Sequence, residues 1–279
     1  NQNIAVAVHV RHGLVPVDEK SQNKHGVPIR DLAKDVHETV HFVDENGNKL
    51  RDDNIQTRHY IRTVTVDLTN NQIVTNPATD IDWHLADNQG SDYSEVNAPV
   101  ITGYFADKKT VPSTKVVQDE INQTVTYKKI GSVSAIDKDG HQLADPIQFA
   151  NDKNDPTKAV AVNAPTVLNY HLVNSNDKVV KPNNDLTQDV KVVYAKDQGS
   201  VKVVFIDDTT GETLSNVGYD SGNIDFDTPI TYKATDDLAK LTKQGYVYNS
   251  IDGNIPEKVV ANQNIAVAVH VRHGLVPVD

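Results

Sequence analysis

The chain has 279 residues, with 38 acidic side chains against 27 basic ones for a formal charge of −11, and it contains no cysteine. The absence of cysteine excludes a disulfide framework, a thiolate zinc site and a cysteine nucleophile. The acidic balance argues against nucleic acid as a partner, because phosphate neutralisation needs clustered Lys and Arg.

The first eighteen residues, Asn1 to Asp18, recur unchanged as Asn262 to Asp279, a shift of 261 positions. Identity over that length predicts tandem units of 261 residues in a longer array, of which this chain is a piece. Residues 1–18 are then the tail of a preceding unit, 19–37 a charged linker, and 275–279 the start of the next linker. The stretch Ile4-Ala-Val6-Ala-Val8-His-Val10 alternates with period two and reads as a strand. Severed from the module it completes, it is expected to pack on the linker or on a neighbouring molecule. No run of eighteen apolar residues is present, so no membrane insertion is expected, and secretion and anchoring signals are expected elsewhere.

A weaker repeat lies inside the long one. Three acidic turns follow predicted strands: Asp44-Glu-Asn-Gly47, Asp137-Lys-Asp139-Gly140 and Asp207-Asp-Thr-Thr-Gly211. In each the Gly supplies positive φ and the Asp side chain can bond the turn backbone, the pattern of a β-hairpin. Each segment closes on a Tyr after Gly or Asn (Gly103-Tyr104, Asn169-Tyr170, Gly245-Tyr246) and a last strand. Three modules of one kind follow, at 38–131, 132–199 and 200–274.

The first module adds a hairpin near Tyr60–Val74 and the lone Trp83. The middle one has Pro146, Pro156 and Pro165 where a helix would sit, so its helix is vestigial or absent. The third predicts a helix capped by Thr235, with Asp236 and Asp237 in the first turn, Leu238 and Leu241 on one face, and Gly245 at the end. Strand, strand, helix, Gly-Tyr, strand is the order of a β-grasp fold. The expected class is α+β, predominantly β, in tandem modules.

Asp137 and Asp139 open a sequence like that of a calcium loop. An EF-hand needs Glu at loop position twelve, and that position is Gln148, so a hairpin turn accounts for the same residues. A structural calcium is the one cofactor left open. His270 and His273, copied at His9 and His12, are three apart on a strand and face opposite ways, which disfavours one shared metal. There is no Gly-x-Ser-x-Gly elbow, P-loop or dinucleotide fingerprint, and no aromatic platform beside paired carboxylates, so no catalytic residue is assigned and no enzyme is expected. The tyrosines after Gly read as core anchors with locally bonded hydroxyls. Trp83 is the glycan-binding candidate, with packing as its alternative. Eleven histidines can cancel the −11 charge on acidification, which predicts stronger binding to acidic polymers as pH falls from about 7 to 4.5.

Val201–Gly274, with its Asp-Thr-Thr-Gly hairpin, Gly218-Tyr219 and Lys243-Gln-Gly-Tyr246, resembles the MucBP domain of lactobacilli. The first module, with Glu38-Thr-Val-His-Phe42, Tyr60-Ile-Arg-Thr-Val-Thr-Val-Asp67 and Pro99-Val-Ile-Thr-Gly-Tyr104, resembles the larger half of a Mub repeat. The resemblance implies a wall-anchored extracellular adhesin made of ubiquitin-like β-grasp modules in an elongated array, binding mucin glycans and in some members immunoglobulins. Three readings stand: multivalent attachment to mucin glycans, immunoglobulin capture by addition to a sheet edge, and a passive stalk.

Overall fold

Val, Ile, Thr and Tyr alternating with polar residues build a strand-rich chain, seen here in a computed structural model that describes residues 2–275. The chain divides into two compact units, one of residues 1–130 with 150–160 and 185–187, the other of the remaining residues.

In the first unit, Leu14–Val17 (β1), Ala33–Asp44 (β2), Lys49–Asp67 (β3), Gln72–Val74 (β4), Ile81–Leu85 (β5), Tyr104–Ala106 (β6) and Ile121–Lys129 (β7) form one sheet. Its order is β1-β3-β2-β7-β6, with β4 and β5 also on β3. The central pair β2 and β7 is parallel, with Val40 opposite Gln123 and Asp44 opposite Tyr127. Alternation puts Val40, Phe42, Val125 and Tyr127 on one face, where they are buried with Val96, Ala98, Ala106 and Val111. The predicted extra hairpin is present as β3 and β4, joined through a turn that opens at Asp67.

Residues 19–37, expected to be a linker, are instead folded. Val27 and Leu32 are buried with Val17, Val64 and Val66 in a second core, Ile29–Asp31 is a 3-10 turn, and β2 already begins at Ala33. The apolar residues of that stretch are few and aperiodic, and its charges hid them. Residues 2–12 also depart from expectation. They form no strand, have no sheet partner among the described residues, and leave Ile4, Val6, Val8 and Val10 exposed. The expected next linker, 275–279, lies outside the described residues apart from Leu275.

In the second unit, Ser132–Ile136 (β8), Ile147–Gln148 (β9), Tyr170–Leu172 (β10) and Val190–Lys196 (β11) give the order β9-β8-β11-β10, with β8 and β11 parallel. Gln198–Asp207 (β12), Glu212–Thr213 (β13), Tyr246–Asp252 (β14) and Asn264–His273 (β15) give β13-β12-β15-β14, with β12 and β15 parallel. The first unit holds the same arrangement as β3-β2-β7-β6. A hairpin, a parallel central pair and a Tyr-led antiparallel strand therefore recur three times. The segment 150–160 of the middle stretch packs with the first unit, where Asn151 accepts from the Gly103 N–H at 2.9 Å and donates to the Tyr104 carbonyl at 2.6 Å.

The helix Ala234–Lys243 (α1) lays Leu241 and, less deeply, Leu238 on Val201, Val203, Phe205, Val267, Val269 and Val271. It starts one residue before the Thr235 that should have capped it, with Lys233 at the cap position and no side-chain cap. Asp236 and Asp237 do occupy the first turn, against the positive end of the helix dipole. Asp237 is buried and accepts from the Gly218 N–H, the Tyr232 hydroxyl and Lys240 at 3.0, 2.7 and 2.8 Å. Gly245, at φ +91°, ends the helix. The middle stretch has only a 3-10 turn, Ser175–Lys178. No helix among the described residues is long and apolar enough to cross a membrane.

Candidate functional site

The second unit contains a cleft of about 890 Å³. That lies within the range of roughly 300–1,000 Å³ usual for small-ligand sites. Its wall is assembled from the turn after β8, from β10, from the end of β11, and from Asn223, Asp225 and Asn262.

Asn169 holds φ +63°, a left-handed conformation that Asn tolerates, and turns the chain into β10 so that Tyr170 lines the cleft. The Tyr170 ring meets Phe226 edge-on at 5.5 Å, and Lys196 sits 5.4 Å over the same Phe226 ring. Next along β10, His171 Nδ1 lies 2.8 Å from the Asp197 carboxylate, whose other oxygen accepts from Asn262 at 2.9 Å. Tyr194 borders the cleft but is buried, and it donates its hydroxyl to the Pro165 carbonyl. The half-buried Tyr170 beside carboxylates and amides forms a wall suited to hydroxyl-rich ligands, which need apolar contact and hydrogen bonds together.

The predicted calcium candidates lie on the rim. Asp137 accepts from the Asp139 and His141 N–H groups, each at 2.9 Å, and from the His141 ring at 3.0 Å. The His141 N–H, ahead of the His141 ring and the Asp139 N–H, holds the Asp137 carboxyl below the usual carboxylate range. These are the bonds of a hairpin turn. The ligand atoms of Asp137, Asp139 and His141 lie within 4.8 Å of one another. The third member is an imidazole, which suits zinc or other transition ions better than calcium with its six to eight oxygens.

Trp83 is on β5, remote in sequence from the cleft, and two cations stand over its ring: Lys34 at 5.2 Å and Arg62 at 4.9 Å. Those contacts favour its packing role. Tyr104 and Tyr246 pack against the cores of their sheets. Hydroxyl bonds to backbone carbonyls are made by Tyr93 to Val36 at 3.2 Å, by Tyr127 to Pro99 at 2.7 Å, and by Tyr194 to Pro165. Burial pushes the Tyr127 hydroxyl up to about 12. His270 pairs with Asp208 at 2.7 Å and His273 with Asp207 at 2.9 Å, so the two histidines serve different carboxylates. Of the cleft, sequence reasoning singled out Asp137, Asp139 and Tyr170 but missed His171, Asp197, Asn223, Asp225 and Asn262. The Asn-Tyr pair was the one local signal; the rest meet through strand pairing across long separations.

Two family models match the chain: a Muc B2-like domain over residues 29–131 and a mucin binding domain over residues 199–273. No curated protein matches it. Among solved structures it is similar to Mub-RV at 24% identity and TM-score 0.33, covering 42% of this chain and 60% of that one. It is similar to the MucBP domain of the adhesion protein from Pediococcus pentosaceus at 25% identity and TM-score 0.29, covering 34% and 98%. It is also similar to the type 2 repeat of the mucus binding protein MUB from Lactobacillus reuteri at 22% identity and TM-score 0.31, covering 42% and 58%. The chain thus spans about three fifths of the length of each Mub structure it matches. The two matched domains fall on the stretches whose turns and Gly-Tyr pairs carry the resemblance, and on that basis the chain belongs to the MucBP and Mub-repeat family of mucus-binding proteins.

Proposed function

We propose that this mucus-binding repeat is part of an extracellular, wall-anchored bacterial adhesin, built of β-grasp modules at 38–131, 132–199 and 200–274, and that its cleft binds mucin glycans. The observation that carries the reading is the cleft wall, where Tyr170 and Tyr194 stand among Asp139, His171, Asp225 and Asn262. One such site is shallow and weak. An array multiplies it, because each bound copy holds the next at high effective concentration.

A second reading has its own support. The strand β14 lies at a sheet edge and leaves Val247, Tyr248 and Ile251 exposed, the kind of edge to which an immunoglobulin strand could add.

Titration of the chain over immobilised native mucin, deglycosylated mucin and immunoglobulin separates these. Binding lost on deglycosylation, and weakened about tenfold (1.4 kcal/mol) by Tyr170→Ala, supports the glycan site. Immunoglobulin binding abolished by Tyr248→Lys supports the edge, and silence on all three surfaces supports a stalk.

A further inference from the structure

Where both copies of the duplicated segment are described, residues 2–14 and 263–275, they occupy two environments, and the contacts made in one use different atoms from those made in the other. In the later copy, His273 points Nε2 at the buried Asp207, 2.9 Å away, and its N–H donates to the Thr209 hydroxyl at 3.0 Å. The next residue, Gly274, donates its N–H to the Gly245 carbonyl at 2.7 Å. In the earlier copy, His12 points Nδ1 at the buried Asp67, 2.5 Å away. Gly13 there uses its carbonyl, which accepts from the Leu68 N–H at 2.9 Å, and Leu14–Val17 pair with Val64–Asp67. The histidine thus offers one ring nitrogen to each side, and the glycine its N–H to one side and its carbonyl to the other.

The two receiving turns are alike. Asp207 accepts from the Thr209 N–H and Asp67 from the Thr69 N–H, each at 2.9 Å. The Gly211 N–H returns to the Asp207 carbonyl at 2.7 Å, and the Asn71 N–H to the Asp67 carbonyl at 2.8 Å. Gly274 is held closely, since a Cβ there would come within 2.9 Å of the Gly245 carbonyl oxygen.

We infer that an interior copy of this segment makes both sets of contacts at once and clasps consecutive repeats together. Its third to twelfth residues, Asn264–His273 here, close the last sheet of one unit, and the residues after the glycine begin the first sheet of the next. The histidine between them sets Nε2 against the Asp207 of one unit and Nδ1 against the Asp67 counterpart of the next. The partner of this surface is the following copy of the same chain. The clasp rests on the array reading, and it makes the junction a fixed spacer rather than a flexible tether.

The test is amide hydrogen exchange, read by mass spectrometry, on a chain carrying the 261-residue unit twice. The expected result is that exchange after Gly274 slows by about tenfold or more relative to the 279-residue chain, while β15 keeps its protection. Protection gained after Gly274 at the expense of β15, or none gained, overturns the clasp. In the two-unit chain, His273→Gln is expected to speed exchange on both sides of Gly274, and unchanged exchange on either side overturns the bridging histidine. Mucin binding by the single-unit chain is measured in parallel. Its loss overturns the adhesin reading without touching the clasp, and a natural chain with no second unit would remove the array reading alone.

Discussion

His273 stands 2.9 Å from Asp207, a carboxylate only 2% exposed at the start of a β-hairpin turn. Burial alone would raise the Asp207 carboxyl. The Thr209 N–H and the Thr210 hydroxyl, with the charge of His273, outweigh that and hold it below its ordinary value. Asp67 is lowered too, first by the Thr69 hydroxyl and then by the Thr69 N–H, with His12 adding to both. A carboxylate with a depressed folded pKa contributes stability above the unfolded value near 3.9 and loses it as pH falls through the folded one. Thermal midpoints between pH 2 and 7 should therefore fall steeply below pH 4, and Asp67→Asn with Asp207→Asn should flatten that slope. An unaltered slope in the double variant would show that these turns do not carry the acid sensitivity.

His59 works in the opposite sense. Its ring lies 2.7 Å from Glu19 and 2.6 Å from Asp35, and those two bonds, Glu19 first, raise its pKa. The stability it contributes is full below the unfolded value near 6.5 and is lost as pH rises through the folded value. His59→Gln should leave melting unchanged well above that upper value and lower it at pH 6. Equal losses at pH 6 and pH 9 would assign the effect to packing instead.

The eighteen-residue duplicate permits an internally controlled core test. Val269 is fully buried in β15, and its counterpart Val8 is 82% exposed. Val269→Ala should cost about 2 kcal/mol, the scale of burying a Val side chain. Val8→Ala should stay within about 0.5 kcal/mol. Phe205, fully buried beneath α1, should cost about 3–5 kcal/mol on truncation to Ala. Chemical denaturation of the three variants checks all of these, and equal losses at Val8 and Val269 would show that the first copy is packed in solution.

That same pair marks how far local pattern reaches. Ile4 to Val10 and Ile265 to Val271 are one sequence with one strand propensity, yet the second forms β15 between β12 and β14 and the first forms none. A strand needs partners, and alternation does not supply them. The hairpin turns, α1 with Leu238 and Leu241, and its stop at Gly245 were legible because each is written in nearby residues. Residues 19–37 misled because Val27 and Leu32 are buried without any period, among charges that read as solvated linker. The cleft was mostly illegible for a topological reason. His171 meets Asp197 through β10 and β11, and Asn262 reaches Asp197 from 65 residues away.

The remaining prediction concerns acidity and adhesion. At neutral pH a chain of charge −11 is repelled by sialylated or sulfated mucin. Eight of the eleven histidines stand within ion-pair distance of a carboxylate, two of them, His141 and His171, at the cleft. Acidification adds positive charge at histidines and then removes negative charge at carboxylates. The His59 and His270 rings are raised above the ordinary imidazole value, by Glu19 and Asp208 respectively. Binding to acidic mucin should therefore strengthen as pH falls from about 7 to 4.5. The gain should shrink at high salt, where the screening length drops to about 3 Å at 1 M. Equal affinity at both pH values in low salt would sink the electrostatic account. A gain that survives in 1 M salt would place the effect in short-range contacts and not in the long-range field of the chain.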